Sequence, residues 1–168
     1  ESDYTYEGTV SGKTGFTPEA GNTLVTYAKR GDLELIAVSL KSNWKHYDDT
    51  IAMFNYGFEH FSASDMSRSA AALEAVREAV LAQAALDPGT GTLSLNSDNW
   101  AVLPDGITAG SLNAAVTLFP ASQQASMDST TIGTVAYRYN GVCLGTGTVS
   151  FSPAANSGSQ THETTPET

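Results

Sequence analysis

At 168 residues the chain is long enough for one ordinary domain or two small ones, and its lone cysteine, Cys143, excludes an internal disulfide. Eight Lys and Arg against eighteen Asp and Glu give a net charge of −10, which argues against a nucleic-acid or anionic-membrane partner. Either partner would want clustered basic side chains. No apolar run of about eighteen residues is present, so no segment reads as a bilayer-spanning helix. No basic-then-apolar signal peptide opens the sequence either, and Glu1-Ser2-Asp3-Tyr4 reads as the middle of a longer chain.

Residues 4–14 read as a strand that carries Lys13-Thr14-Gly15, and 15–21 as a loop punctuated by Gly, Pro and Gly. Two further β-prone runs, Thr23 to Lys29 and Leu33 to Leu40, flank Arg30-Gly31-Asp32, which suits a hairpin turn. The spacing predicts a helix over 45–61, with Ile51, Phe54, Tyr56, Phe58 and Phe61 burying one face. Asp48-Asp49 in its first turn complements the helix dipole. A second helix is predicted over 67–86, with Leu73, Val76, Val80 and Leu81 as its apolar stripe and Asp87-Pro88-Gly89 as its stop. It reads as a packing or spacer helix.

From Thr92 the pattern turns to β. The expected strands are Thr92–Asn96, Trp100–Leu103, Leu112–Phe119, Ile132–Tyr139 and Val142–Phe151. Asn140-Gly141 is a type I′ hairpin signal, because both positions accept positive φ. The tail, 156–168, has no apolar periodicity and is expected to be a disordered linker.

Lys13-Thr14-Gly15 offers a compact ammonium, a hydroxyl donor and a missing side chain on one strand. Such an edge can pair with an extended peptide and hold its C-terminal carboxylate, and a glycine within a strand often marks close approach of another backbone. Lys-Thr-Gly is also the third signature of penicillin-binding proteins and class A β-lactamases. The run Gly12-Lys13-Thr14-Gly15-Phe16-Thr17-Pro18-Glu19-Ala20-Gly21-Asn22-Thr23-Leu24-Val25 resembles the corresponding run of serine-type D-alanyl-D-alanine carboxypeptidases. The resemblance continues through Ala28-Lys29-Arg30 and Leu35-Ile36-Ala37-Val38 to Phe54-Asn55-Tyr56-Gly57-Phe58-Glu59-His60-Phe61. Residues 133–145 resemble, more loosely, the small β-sandwich that follows the catalytic domain in many of these enzymes.

That resemblance implies an α+β fold: the last strands and closing helix of a penicillin-binding domain, a linking helix, then a small all-β, sandwich-like domain. The implied division is 1–61 for the catalytic-domain portion, 62–89 for a helical linker, 90–153 for the β-rich domain and 154–168 for the tail. It implies an exported cell-envelope enzyme that removes the terminal D-Ala from peptidoglycan stem peptides through an acyl-serine, and that binds β-lactams, with no cofactor or metal. In the family such a tail often leads to a membrane anchor. By resemblance Lys13 tunes the electrostatics around the serine and attracts the substrate carboxylate. Thr14 helps hold that carboxylate, Gly15 leaves room for the ligand backbone, and the Phe16 N–H is an oxyanion donor. The serine and its lysine belong to motifs expected upstream of residue 1, so the chain alone is expected to be inactive and to need the missing N-terminal part of the domain. The alternatives are a non-catalytic wall-binding or structural module and, less favoured, a serine β-lactamase, for which no deacylating carboxylate stands out.

Copies of the early motifs occur in the wrong order. Ser42-Asn43-Trp44-Lys45 is a literal Ser-x-x-Lys, and Ser97-Asp98-Asn99 a literal Ser-Asp-Asn, but both follow Lys13. Ser42 reads as a helix cap and Ser97 as a turn residue. His46, His60 and His162 have no carboxylate or thiol at ligand spacing, and Cys143 reads as a small buried or half-buried side chain.

Overall fold

Two hairpins in succession build the first sheet. In the computed structural model, which describes residues 5–83, 87–120 and 130–154, β1 (Thr9–Thr17) pairs with β2 (Gly21–Arg30), and β2 with β3 (Leu33–Ser42). Gly31 makes the second turn at φ 58°, a left-handed value that glycine takes without steric cost. The expected strand over 4–14 is shifted. Thr9 N donates to Tyr6 O at 3.1 Å, and this turn delays the strand to Thr9. At its far end the strand runs through Gly15 and Phe16 to Thr17, which pair with Thr23, Asn22 and Gly21, so the expected loop over 15–21 shrinks to Pro18–Ala20. Ladder pairing wins over local Gly and Pro punctuation there.

β2 and β3 alternate as half-covered strands do. Leu24, Thr26, Ala28, Leu33, Ala37 and Ser39 are buried on the face that packs against α1 (His46–His60). Of the row expected, the helix buries Phe54 and packs Phe58 against the same core, but its other buried positions are His46, Thr50 and Gly57, Ile51 is half-buried and Tyr56 is exposed. Phe61 leaves the helix and begins β4 (Phe61–Asp65), a strand that helical periodicity hid. Gly57 lets α1 approach β3 closely, since a Cβ there would lie 2.5 Å from Leu35 Cδ1. Tyr6 closes this small core by stacking on Phe54 at 5.3 Å, and the Arg30 guanidinium sits 4.7 Å over the Tyr6 and Phe58 rings. The opposite face of the sheet is bare: Val25, Ile36, Val38 and Leu40 are all exposed, Leu40 at 71%.

The second sheet holds β4, β5 (Gly91–Leu95), β6 (Trp100–Pro104), β7 (Asn113–Leu118), β8 (Thr131–Tyr139) and β9 (Val142–Pro153). Its order is β4-β6-β9-β8-β7, with β5 pairing with β9 beyond the end of β6. All its pairings are antiparallel. The β8–β9 hairpin turns at Asn140 and Gly141, with φ of 48° and 84°, as the dipeptide predicts. α2 (Ala70–Gln83) packs on this sheet. Ala72, Val76 and Val80 are buried among Leu93, Leu103, Val135, Val149 and Phe151. Val76 and Val80 are fully buried, worth about 1.5–3 kcal/mol each. The buried spacing is therefore i, i+4, i+8 from Ala72; Leu73 is half-buried and Leu81, expected on the stripe, is exposed.

Among the described residues the architecture is α+β, two helices with nine strands in two antiparallel sheets. Within 62–89, expected as a linker, Ser62–Asp65 pair with β6, and α2 belongs to the second core. Residues 84–86 and the tail 156–168 lie outside the described residues, so the end of the predicted helix and the tail's predicted disorder do too.

Candidate functional site

β1 lies at the edge of its sheet, with β2 on one side and, among the described residues, no strand on the other, and all nine of its residues are exposed. That places Lys13, Thr14, Gly15 and Phe16 on an open ladder whose outer groups are free to pair with an extended ligand. Register assigns their faces. Lys13 sits opposite Val25 on the bare face, and Thr14 sits opposite Leu24 on the face that α1 covers. The Lys13 ammonium donates to the carbonyl of Thr14, and among the described residues Lys13 makes no ion pair. Lys29, by contrast, donates to Glu34 Oε1 at 2.7 Å, a bond that holds the Glu34 carboxyl below its usual range.

Gly15 has a steric reason that the sequence did not reveal. A Cβ there would lie 2.7 Å from Thr23 Oγ1, the hydroxyl that donates to Gly15 O at 3.1 Å. The absent side chain first accommodates the neighbouring strand.

Two clefts meet β1. One of about 310 Å³ runs between its inner face and α1, past Gly12, Thr14, Thr26, Tyr47 and Phe54. The other, about 600 Å³, opens at the Lys13–Phe16 end and is walled by Asn22, Trp44, His46 and Tyr47. Local sequence reading singled out none of these four as site residues. Trp44 stands in the β3–α1 connection at φ 62°, three residues after Lys41 at φ 53°. Left-handed backbone is uncommon for non-glycine residues and an outlier for bulky ones. His46 is buried, its ring against Tyr47 at 4.4 Å, and its Nδ1 has no hydrogen-bond partner among the described residues.

The motif copies serve structure. Ser42 ends β3 and Lys45 caps α1, so the two are not on one helical turn as an acyl-serine and its lysine must be. Ser42 does not cap the helix either; its hydroxyl donates to Asp49 Oδ2 at 2.9 Å. Ser97-Asp98-Asn99 pins the β5–β6 turn to β9. Asp98 Oδ1 accepts from Thr148 N and Oγ1 at 3.0 and 2.9 Å, and Asn99 Nδ2 donates to Thr148 O at 2.8 Å. Buried Tyr137 donates its hydroxyl to Asn99 Oδ1 at 2.6 Å, and burial, with the Asp98 and Asp65 charges adding, pushes the phenol up to about 12.

His60 Nδ1 pairs with Asp105 Oδ2 at 2.8 Å on the surface. Cys143, expected to be buried or half-buried, is exposed beside the β8–β9 turn, as is its neighbour Val142, because the hairpin end extends beyond the packed core. Among the described residues no group of three His, Cys, Asp or Glu could hold a metal ion, and no helix is long and apolar enough to cross a membrane. His162 lies outside the described residues.

No family model and no curated protein matches the chain. Among solved structures it is similar to the D-alanyl-D-alanine carboxypeptidase DacD from Francisella tularensis at 16% identity and a TM-score of 0.46, covering 88% of this chain and 36% of that one. It is also similar to penicillin binding protein 5 from Haemophilus influenzae at 18% identity and a TM-score of 0.47, covering 83% of this chain and 40% of that one. The chain thus spans well under half the length of either protein to which it is similar.

Proposed function

We propose that the chain is the C-terminal portion of a serine-type D-alanyl-D-alanine carboxypeptidase of the cell envelope, acting on peptidoglycan stem peptides and acylated by β-lactams. The observation that carries this is the placement of Lys13-Thr14-Gly15-Phe16 on an open edge strand, within a run that resembles that family. An extended acyl donor pairs with the free edge of β1. The Lys13 ammonium, with no competing ion pair among the described residues, attracts the substrate carboxylate, and Thr14 helps hold it. The Phe16 N–H donates to the oxyanion as the serine attacks, a contribution whose removal commonly costs about 10²–10³ in rate. The serine and its lysine come from sequence before residue 1, and the same missing part covers the bare face of Val25, Ile36, Val38 and Leu40. Residues 1–61 then form the catalytic-domain portion, and the β-rich remainder is a spacer or interaction module.

Fluorescent penicillin tests this on the complete protein. Lys13→Ala should lower the second-order acylation rate about 10- to 100-fold, the loss of one charge-assisted hydrogen bond of about 1.5–3 kcal/mol. Lys29→Ala, which removes only the surface pair with Glu34, should acylate like the parent. Equal acylation of both variants would sink the assignment of Lys13. A second reading, a non-catalytic wall-binding module, is favoured by the structural roles of Ser42 and Ser97. Absence of any covalent penicillin label on the complete protein would select it.

A further inference from the structure

Gly15 and Phe16 share one peptide unit, and a side chain of the neighbouring strand holds it. Thr23 stands opposite Gly15 in the β1–β2 ladder, and its hydroxyl donates to Gly15 O at 3.1 Å. A hydroxyl on β2 reaches that oxygen only when the carbonyl points across the ladder toward β2. The peptide is planar and trans, so its N–H points the opposite way. The Phe16 N–H therefore faces the open edge of β1, where the proposed ligand pairs. The tie depends on the glycine, since a Cβ on Gly15 would lie 2.7 Å from Thr23 Oγ1 and push the hydroxyl away.

We propose that Thr23 is a positioning residue for the oxyanion donor, orienting and polarising the peptide whose N–H belongs to Phe16. The inference rests on the carboxypeptidase reading and adds a residue of β2 to the same site. Two effects act on one N–H. The hydroxyl bond to Gly15 O resists rotation of the peptide plane, which keeps the N–H aimed where the oxyanion forms. Accepting that bond also draws electron density toward Gly15 O, and the N–H of the same amide becomes a stronger donor. Negative charge builds on the substrate's carbonyl oxygen only as the serine oxygen bonds to its carbon and the π pair moves onto oxygen. The gain therefore falls on the transition state, and it appears in kcat with KM little changed.

The test compares Thr23→Val and Thr23→Ser in the complete enzyme, with a peptide ending in D-Ala-D-Ala and with fluorescent penicillin. Valine keeps the branched shape that suits a strand but loses the donor, whereas serine keeps the hydroxyl. Thr23→Val should lower kcat about tenfold, part of the roughly 10²–10³ that loss of a whole oxyanion donor costs, with KM within about twofold of the parent. Penicillin acylation should slow by the same factor. Thr23→Ala, which also lacks the donor, should behave as Thr23→Val does, and Thr23→Ser should keep both rates within about twofold of the parent. Tyr137→Phe, which removes a buried hydrogen bond of the second sheet, controls for lost stability and should keep the parental kcat. Parental kcat in the variants without the hydroxyl, a loss confined to KM, a Thr23→Ser enzyme as slow as they are, or an equal fall in Tyr137→Phe overturns the positioning role alone. A parent that neither cleaves the peptide nor takes the penicillin label overturns the carboxypeptidase reading and the positioning role with it.

Discussion

Gly15→Ala is the substitution whose effect the structure defines most sharply. The new Cβ would stand 2.7 Å from Thr23 Oγ1, closer than packed atoms tolerate. Thr23 must rotate, and its hydroxyl then loses the 3.1 Å bond to Gly15 O. A typical intramolecular hydrogen bond contributes about 0.5–1.5 kcal/mol, and an off-rotamer side chain costs about 0.5–1.5 kcal/mol more. Gly15→Ala should therefore destabilise the first sheet by about 1–3 kcal/mol. Thr23→Ala loses the same bond without the clash, so it should cost about 1 kcal/mol. In the double variant neither clash nor bond remains, and the damage should equal that of Thr23→Ala alone. The coupling energy then equals the whole cost of Gly15→Ala, about 1–3 kcal/mol, within the range of residues in direct contact. The assay is denaturant unfolding of the complete protein by circular dichroism, with hydrogen exchange across Gly15–Thr23 as a local check. Strictly additive effects would refute the neighbour-strand explanation and return Gly15 to a role in ligand approach alone.

Gly57→Ala should cost about 1–3 kcal/mol through overpacking against Leu35, whose Cδ1 lies 2.5 Å from the new Cβ; Leu35→Ala in the same chain should recover part of that loss, and no recovery would disprove the contact. Tyr137→Phe should cost about 1–3 kcal/mol by leaving Asn99 Oδ1 buried without its 2.6 Å donor, as read from the unfolding midpoint. The parent should also lose stability in alkali. Because the folded phenol sits at about 12, above the ordinary value of about 10, this contribution is intact below pH ~10 and is lost as pH rises toward 12. Tyr137→Phe should flatten that part of the profile, and an unchanged slope would show that another group titrates.

Strong alternation made β2 and β3 readable, because Leu24, Thr26 and Ala28 share one face over a covered core. Asn140-Gly141 identified its hairpin through backbone chemistry that depends on two residues alone. β4 was hidden for the opposite reason. Ser62-Ala63-Ser64-Asp65 has little β propensity of its own, and the strand exists because Leu103, Val102, Ala101 and Trp100 offer a ladder. Leu81 misled because a stripe counted from Leu73 is rotated from the one that packs, which is set by Ala72. At the candidate site, Lys13 to Phe16 were legible as a contiguous run. Trp44 and His46 were not, because they reach the cleft only after β3 and α1 have folded beside β1. Nor does local sequence reveal that Asp98 and Asn99 answer to Thr148, about fifty residues on.

The position of β9 governs when the protein can acquire its shape during synthesis. β1, β2, β3 and α1 join neighbours close in sequence, so they can assemble as soon as they are made. The second sheet has only part of that freedom: β4 can pair with β6 and β7 with β8, but the two pairs are joined only through β9. β5 waits for Val149 to Pro153, β6 for Gly145 and Thr146, and β8 for the whole of the following strand. Until that last strand emerges, Leu93 and Val135 lack the Val149 and Phe151 side chains that complete their core, and α2 can dock only on β5 and β7. A nascent chain stopped before Val142 would carry one assembled sheet with its apolar back bare and a second half unable to close. That interval is when the molecule most needs shielding from its own copies.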